Sequence, residues 1–344
     1  MTFSSRKRHR ARCNKGTNSG SRSRAAWQVF QVTGTYLTAN GLNESYGYDA
    51  FGNLQAAGNF SFVQAYTAAN QLSGWSYDAA GNLLMDGAGN VYTYDANGMV
   101  STEAAAGVSY IYDAEGNRVE KAFPSPGGGP VGVDTIYFGG RPLARLAGTA
   151  WTDLIYAASG LLAEVPGTQT GAQVYRITDH LGSAVGTLSS TGVVLSTQDY
   201  APFGQLFTGG TADPYQFTGK ERDAESGNDY FGARYYASSA GRWMSPDPGW
   251  LKAANAADPQ SWNLYGYVLN QPLVLTDPDG MAPPAAGGPV KSRRGPDRGT
   301  SRCAPSIAFF AMSGRATRVG IPLPAPLSVG AAPFPRSWPK GGRR

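Results

Sequence analysis

Side-chain catalysis needs groups that can give, take or share a proton, and this 344-residue chain holds few candidates, with two histidines and two cysteines in total. Asp179-His180, with Ser183 three residues on, has the residue types of a nucleophile relay. Neighbours on a strand point to opposite faces, however, so Asp179 is badly placed to orient His180, and the pair reads as a turn. Lys220-Glu221-Arg222-Asp223 alternates in sign and reads as a solvated turn. Arg234 beside Tyr235 and Tyr236 reads as a stacked structural arginine. Cys13 and Cys303 lie far apart and build neither a disulfide framework nor a zinc site, so no metal or cofactor is expected. Two aspartate-proline clusters remain, Ser245-Pro246-Asp247-Pro248 and Asp277-Pro278-Asp279-Gly280. Carboxyl groups brought together cannot both ionise cheaply, so one can hold a proton while the other activates water. The same residues also make ordinary turns, in which proline fixes φ and aspartate caps the backbone.

The elements that would position these groups are short strands. The chain has 46 Gly, 19 Tyr and 7 Trp against 15% charged residues, which suits strands joined by glycine turns and predicts an all-β fold. Self-similarity supports this reading. Tyr48-Asp49-Ala50-Phe51-Gly52-Asn53-Leu54 recurs as Tyr77-Asp78-Ala79-Ala80-Gly81-Asn82-Leu83, as Tyr94-Asp95-Ala96-Asn97-Gly98-Met99 and as Tyr112-Asp113-Ala114-Glu115-Gly116-Asn117-Arg118. A weaker copy runs from Tyr66 to Leu72. In each, tyrosine ends a strand, aspartate opens a turn by accepting from backbone two residues on, and glycine takes the positive φ. A hairpin of this size buries little alone, so the copies must stack to share a core.

The repeats resemble the YD repeats of Rhs proteins, insecticidal toxin complexes and teneurins. That resemblance implies hairpins wound into a hollow β-shell, here only part of one. A second set of motifs is denser: Asp179-His180-Leu181-Gly182-Ser183, Tyr200-Ala201-Pro202-Phe203-Gly204, Phe217-Thr218-Gly219-Lys220, Tyr230-Phe231-Gly232-Ala233-Arg234-Tyr235-Tyr236, Gly241-Arg242-Trp243 and Asn263-Leu264-Tyr265-Gly266-Tyr267. Their order resembles the Rhs repeat-associated core, which in that family precedes a variable C-terminal toxin. The resulting division is a basic, disordered segment over 1–27, YD repeats over 28–122, continuing hairpins over 123–178, the core over 179–281 and a Pro/Arg-rich tail over 282–344.

Some members of this family cut their own core–toxin junction with an aspartyl-protease-like pair of aspartates and an arginine, just after the DPxG turn. Carried over by motif, Arg242 is the arginine, Asp277 one carboxylate and Asp258 the other, with Asp247 and Asp279 in reserve. The bond at risk is Met281-Ala282.

Charge narrows the partners. Residues 1–27 carry eight Lys/Arg and no acid, and residues 282–344 carry eleven with Asp297 as the only acid, so the formal charge of +5 sits in the tails while the body is acidic. Nucleic acid is therefore expected only through non-specific, salt-sensitive contacts of the tails. The tail, without histidine and with one acid, holds no recognisable toxin enzyme. No apolar run approaches the roughly 18 residues of a membrane span. Arg6-Lys7-Arg8-His9-Arg10 lacks the apolar stretch of a secretory signal, so export by another route is expected, to the outside or the cell surface. The resemblance implies a structural shell and core that carries an effector in bacterial competition, with an immunity protein and a secretion system as partners. An adhesion module gripping glycans through exposed tyrosines is the alternative.

Overall fold

A computed structural model describes residues 34–37, 41, 43–58, 60, 65–124, 131–158, 160–167, 173–210, 213–249 and 259–281. The chain divides into two units, Met1–Pro289 and Val290–Arg344. The second unit and the 1–27 segment, for which disorder is expected, lie outside the described residues.

The repeated turn sets the architecture. In the turn that opens at Asp113, Oδ1 accepts from Glu115 N at 3.0 Å and Asn117 N at 2.8 Å, and Oδ2 accepts from Asn117 Nδ2 at 2.9 Å. Gly116 N donates to Asp113 O at 3.1 Å, with Gly116 at φ +83°. The turns from Asp49, Asp78 and Asp95 repeat this backbone pattern. The weak copy does so by substitution: Thr67 Oγ1 takes the place of the carboxylate, and Asn70 takes the left-handed position at φ 59°. Asparagine tolerates that region better than other non-glycine residues. Two further copies, from Asp86 and Asp179, lack the preceding tyrosine-aspartate pair but have the same bonds. A register shift falls beside several of these turns, as between Ile111 and Tyr112, and each such bulge adds local twist.

Between the turns lie strands of two to eight residues. Strands β1 (Gly34–Leu37), β2 (Asn43–Tyr48) and β3 (Leu54–Gly58) form one antiparallel sheet, and β4 (Ser76–Tyr77) pairs with β5 (Leu83–Met85). A twelve-stranded sheet follows in strict chain order. It begins with β6 (Tyr92–Tyr94), β7 (Val100–Glu103), β8 (Val108–Tyr112) and β9 (Arg118–Phe123), continues through β10 (Val131–Phe138), β11 (Arg141–Ala147), β12 (Ala150–Ala157) and β13 (Gly160–Pro166), and ends with β14 (Val174–Thr178), β15 (Ala184–Ser189), β16 (Val194–Tyr200) and β17 (Leu206–Gly209). The β9–β10 and β14–β15 pairings run across residues 123 and 178, so those sequence divisions fall inside one sheet. Four small strands, β18 (Glu221–Arg222), β19 (Asp229–Tyr230), β20 (Tyr235–Ala237) and β21 (Arg242–Trp243), form a separate sheet.

That last sheet is what the repeats pack against. Phe203, Phe217, Phe231, Tyr236, Trp243 and Tyr267 from the core segment share one cluster with Tyr46, Leu54, Leu72, Leu83, Tyr92, Val108 and Tyr110 from the repeats. Tyr236 and Tyr267 lie 4.6 Å apart, and Phe231 meets Trp243 edge-on at 5.0 Å, separations at which rings attract beyond simple burial. Repeat tyrosines 46, 92 and 110 therefore face the core.

The solvated turn expected at 220–223 is instead half-buried and enters the strand β18, with Asp223 fully buried. Asp223 lies 2.7 Å from Arg118 Nη1 and 2.8 Å from Lys121 Nζ, both on β9. Glu221 reaches Arg118 at 2.9 Å, and Glu225 reaches Lys121 at 2.9 Å. Burial alone would raise the Asp223 carboxyl, but Arg118 and Lys121 outweigh it and hold it below its ordinary value. The alternating signs are there because these charges pair across the interface, not with water. Removing one member leaves the others buried without a counter-charge. Asp223→Asn should therefore lower stability by about 3–5 kcal/mol, read as a lower urea midpoint, whereas Glu115→Gln on the exposed turn should change it by less than about 0.5 kcal/mol.

Candidate functional site at the Asp277–Met281 turn

The described chain reaches Met281 through a turn built by its own aspartates. Asp277 Oδ1 accepts from Gly280 N at 2.9 Å and from Asp279 N at 3.2 Å, and Asp279 Oδ1 accepts from Met281 N at 3.1 Å. Gly280, at φ +74°, is required twice over, because a Cβ there would lie 3.0 Å from Arg234 N. Gly232 permits the approach from the other side, since a Cβ on it would meet Asp279 O at 3.0 Å.

Arg234 organises the site. Its Nε donates to Gly280 O at 2.5 Å, and its guanidinium lies 4.1 Å from the centre of the Trp243 ring. Its Nη2 stands 3.4 Å from Asp247 Oδ2 and 3.6 Å from Asp277 Oδ2. Two carboxyl groups from separate loops therefore share one arginine nitrogen. Burial pushes the Asp277 carboxyl up to about 6, even against the attraction of Arg234. Burial pulls Arg234 down to about 10, against Asp247 and Asp277, which leaves it charged at neutral pH. Asp277 Oδ2 is buried and makes no hydrogen bond. A carboxyl group with a free oxygen and a midpoint near 6 can change protonation state within the working range of a general acid or base.

The expected residues separate as follows. Asp277, Asp279 and Asp247 come together around Arg234. Arg242 belongs elsewhere: its Nη2 donates to Asn70 O at 2.5 Å, and its guanidinium lies over Tyr66 at 4.8 Å and Tyr265 at 5.3 Å, tying β21 to the repeat turns. The arginine beside Asp277 is thus Arg234, whereas Arg242 bonds to Asn70. Asp258 and Ala282 lie outside the described residues. Met281 is exposed and, with Asp279, lines a cleft of about 780 Å³ that also includes Tyr137, Tyr156 and Tyr215. An arginine set among aromatic residues that enter the core must find polar partners there, but the sequence does not say whether these are carboxylates, as for Arg234, or carbonyl and amide oxygens, as for Arg242. Asp179 caps its turn, and His180 Nε2 lies 3.0 Å from Leu273 O, so the two form no relay. No group of three or more metal-ligating side chains occurs among the described residues.

A strip of antiparallel hairpins in chain order, packed against an aromatic segment that ends in an acid-rich turn, is the architecture of a fragment of a β-shell. The Teneurin YD-shell family matches residues 146–273. Toxin subunit YenC1 of Yersinia entomophaga is 38% identical over 121 residues, covering 32% of this chain and 11% of that protein. The tRNA3(Ser)-specific nuclease WapA of Bacillus spizizenii is 28% identical over 262 residues, covering 68% of this chain and 11% of that one. The chain spans about a tenth of the length of these relatives. The crystal structure of TcdB2-TccC3-Cdc42 superposes with a TM-score of 0.56 at 22% identity, over 75% of this chain and 14% of that one. These matches support the Rhs/YD-repeat toxin family for this chain, with the family model over residues 146–273 and homologues among toxin subunits and nucleases.

The raised Asp277 carboxyl gives a stability prediction with a definite sign. A carboxyl whose folded midpoint lies above its unfolded value favours folding most below about pH 4, and this contribution is lost as pH rises through about 6. Asp277→Asn, whose amide oxygen can still cap the turn, should remove that loss. Its urea midpoint should exceed the parent's at pH 7 by the equivalent of about 2–3 kcal/mol at most, with the difference vanishing near pH 4.

Proposed function

We propose that this chain is the wall-and-plug part of a toxin shell that carries a C-terminal effector segment in bacterial competition, and that it cuts itself after Met281. The observation behind self-cleavage is the pair Asp277 and Asp247 on either side of the Arg234 nitrogen, one turn before that bond. One carboxyl takes a proton from water, and the water oxygen attacks the Met281 carbonyl carbon while the other carboxyl protonates the carbonyl oxygen. The tetrahedral species then collapses with a proton passing to Ala282 N, breaking the C–N bond to leave a Met281 carboxyl and an Ala282 amine. Arg234 orients both acids and favours the ionised member of the pair, while burial favours the proton on the other.

Export by a non-Sec route to the outside or the cell surface and pairing with an immunity protein belong to the same proposal, supported by the toxin names of the relatives. No helix among the described residues is long and apolar enough to cross a membrane. The adhesion alternative needs a row of exposed tyrosines, and the motif tyrosines Tyr48, Tyr66, Tyr77, Tyr94 and Tyr112 are half-buried against the core cluster instead.

The intact mass of the purified chain at neutral pH tests self-cleavage; acid is avoided because the sequence has four Asp-Pro bonds. The parent should yield a fragment ending at Met281. Asp277→Asn and Asp247→Asn should stay whole, and Arg234→Gln should slow cutting by about 100-fold. Arg242→Gln should still cut. A parent that remains uncut leaves the shell role alone standing.

A further inference from the structure

The backbone leading to Met281 is held at three successive carbonyls. Gly280 O accepts from Arg234 Nε at 2.5 Å, Asp279 O from Ala233 N at 2.9 Å, and Pro278 O from Lys220 Nζ at 2.5 Å. The first two donors lie on one short loop, whereas the third comes from a different element, the turn that precedes β18. That turn is tightly fixed: Lys220 N donates to Phe217 O at 3.0 Å, and Gly219, at φ +71°, packs so closely on the 179–182 turn that a Cβ would lie 3.2 Å from Gly182 O. The ammonium also sits 5.1 Å from the centre of the Phe231 ring.

We propose that Lys220 is a positioning residue of the junction, clamping the Pro278 carbonyl and supplying the cation that lets Asp277 and Asp279 lie side by side. The cleavage arm of this proposal rests on the self-cleavage reading; the electrostatic arm does not. Three charged groups surround the two acids here: Arg234 faces Asp277 from the β20 side, Lys220 approaches from the β18 side, and Asp247 shares the Arg234 nitrogen with Asp277. The Tyr267 hydroxyl also faces Asp277, and the acids face each other across the turn. Glu221, next to Lys220, is occupied by Arg118 and does not compete for it. Burial pulls the Lys220 ammonium down, while Asp277 and Asp279 hold it up; Asp279 pushes the Asp277 carboxyl up, a repulsion that a nearby ammonium offsets. A lysine freely solvated on a turn would serve neither purpose, and its aliphatic stem would not need the Phe231 ring beneath it.

The test compares the full-length parent with Lys220→Met and Lys220→Arg. Self-cleavage is followed by intact mass across pH 4–9, and the Asp277 carboxyl is titrated by ¹³C NMR, assigned with Asp277→Asn. Lys220→Met should slow cleavage by about tenfold at neutral pH through loss of the clamp. It should also move the limb of the pH profile set by Asp277, and its titration midpoint, upward by about half a unit, because a nearby cation no longer favours the ionised form. Lys220→Arg should restore most of both. A Lys220→Met chain that cuts at the parental rate with the parental profile and midpoint overturns the proposal. If the parent itself is not cut, the self-cleavage reading fails, and the titration decides alone: a raised Asp277 midpoint supports the role of Lys220, an unchanged one overturns it.

Discussion

A strand of two to eight residues cannot hide its apolar side alone, and every part of this protein is arranged around that limit. The repeats solve half of it by lining up edge to edge, so that Tyr46, Leu54, Tyr92 and Tyr110 share one buried face. The other half is solved by the aromatic segment from Phe203 to Val268, which lays its rings on that face. Neither surface closes without the other. The buried ions of Arg118, Lys121 and Asp223 then fix the alignment, since a sliding contact would strand a charge in the core.

The turn chemistry was legible in the sequence because it is local. Aspartate, glycine and asparagine at fixed offsets are enough to specify a capped turn, whatever lies around it. Asp86 and Asp179 open the same kind of turn without a tyrosine before them, so that tyrosine contributes packing and not the turn. The all-β architecture and the continuous run of hairpins followed from the same local rule.

What the sequence did not yield depends on distance in space. Lys220 to Asp223 alternates in sign like a solvated segment, and only the fold shows that the partners of Glu221 and Asp223 come from a hairpin about a hundred residues earlier. Arg242 and Arg234 occupy similar aromatic surroundings, and motif order alone favoured the former. The distinction lies in what stands opposite: carbonyl and amide oxygens for Arg242, two carboxylates for Arg234.

The grip on the last turn is one-sided. Pro278, Asp279 and Gly280 are each held through their backbone, while the Met281 side chain is left exposed. A molecule cut after Met281 would keep the new chain end fastened where the substrate had been, with the site still filled by its own product. Such an arrangement would make the proposed reaction a single event per molecule, first order in protein, and would deny the cleft to any other chain. It would work as a fuse and not as a shear.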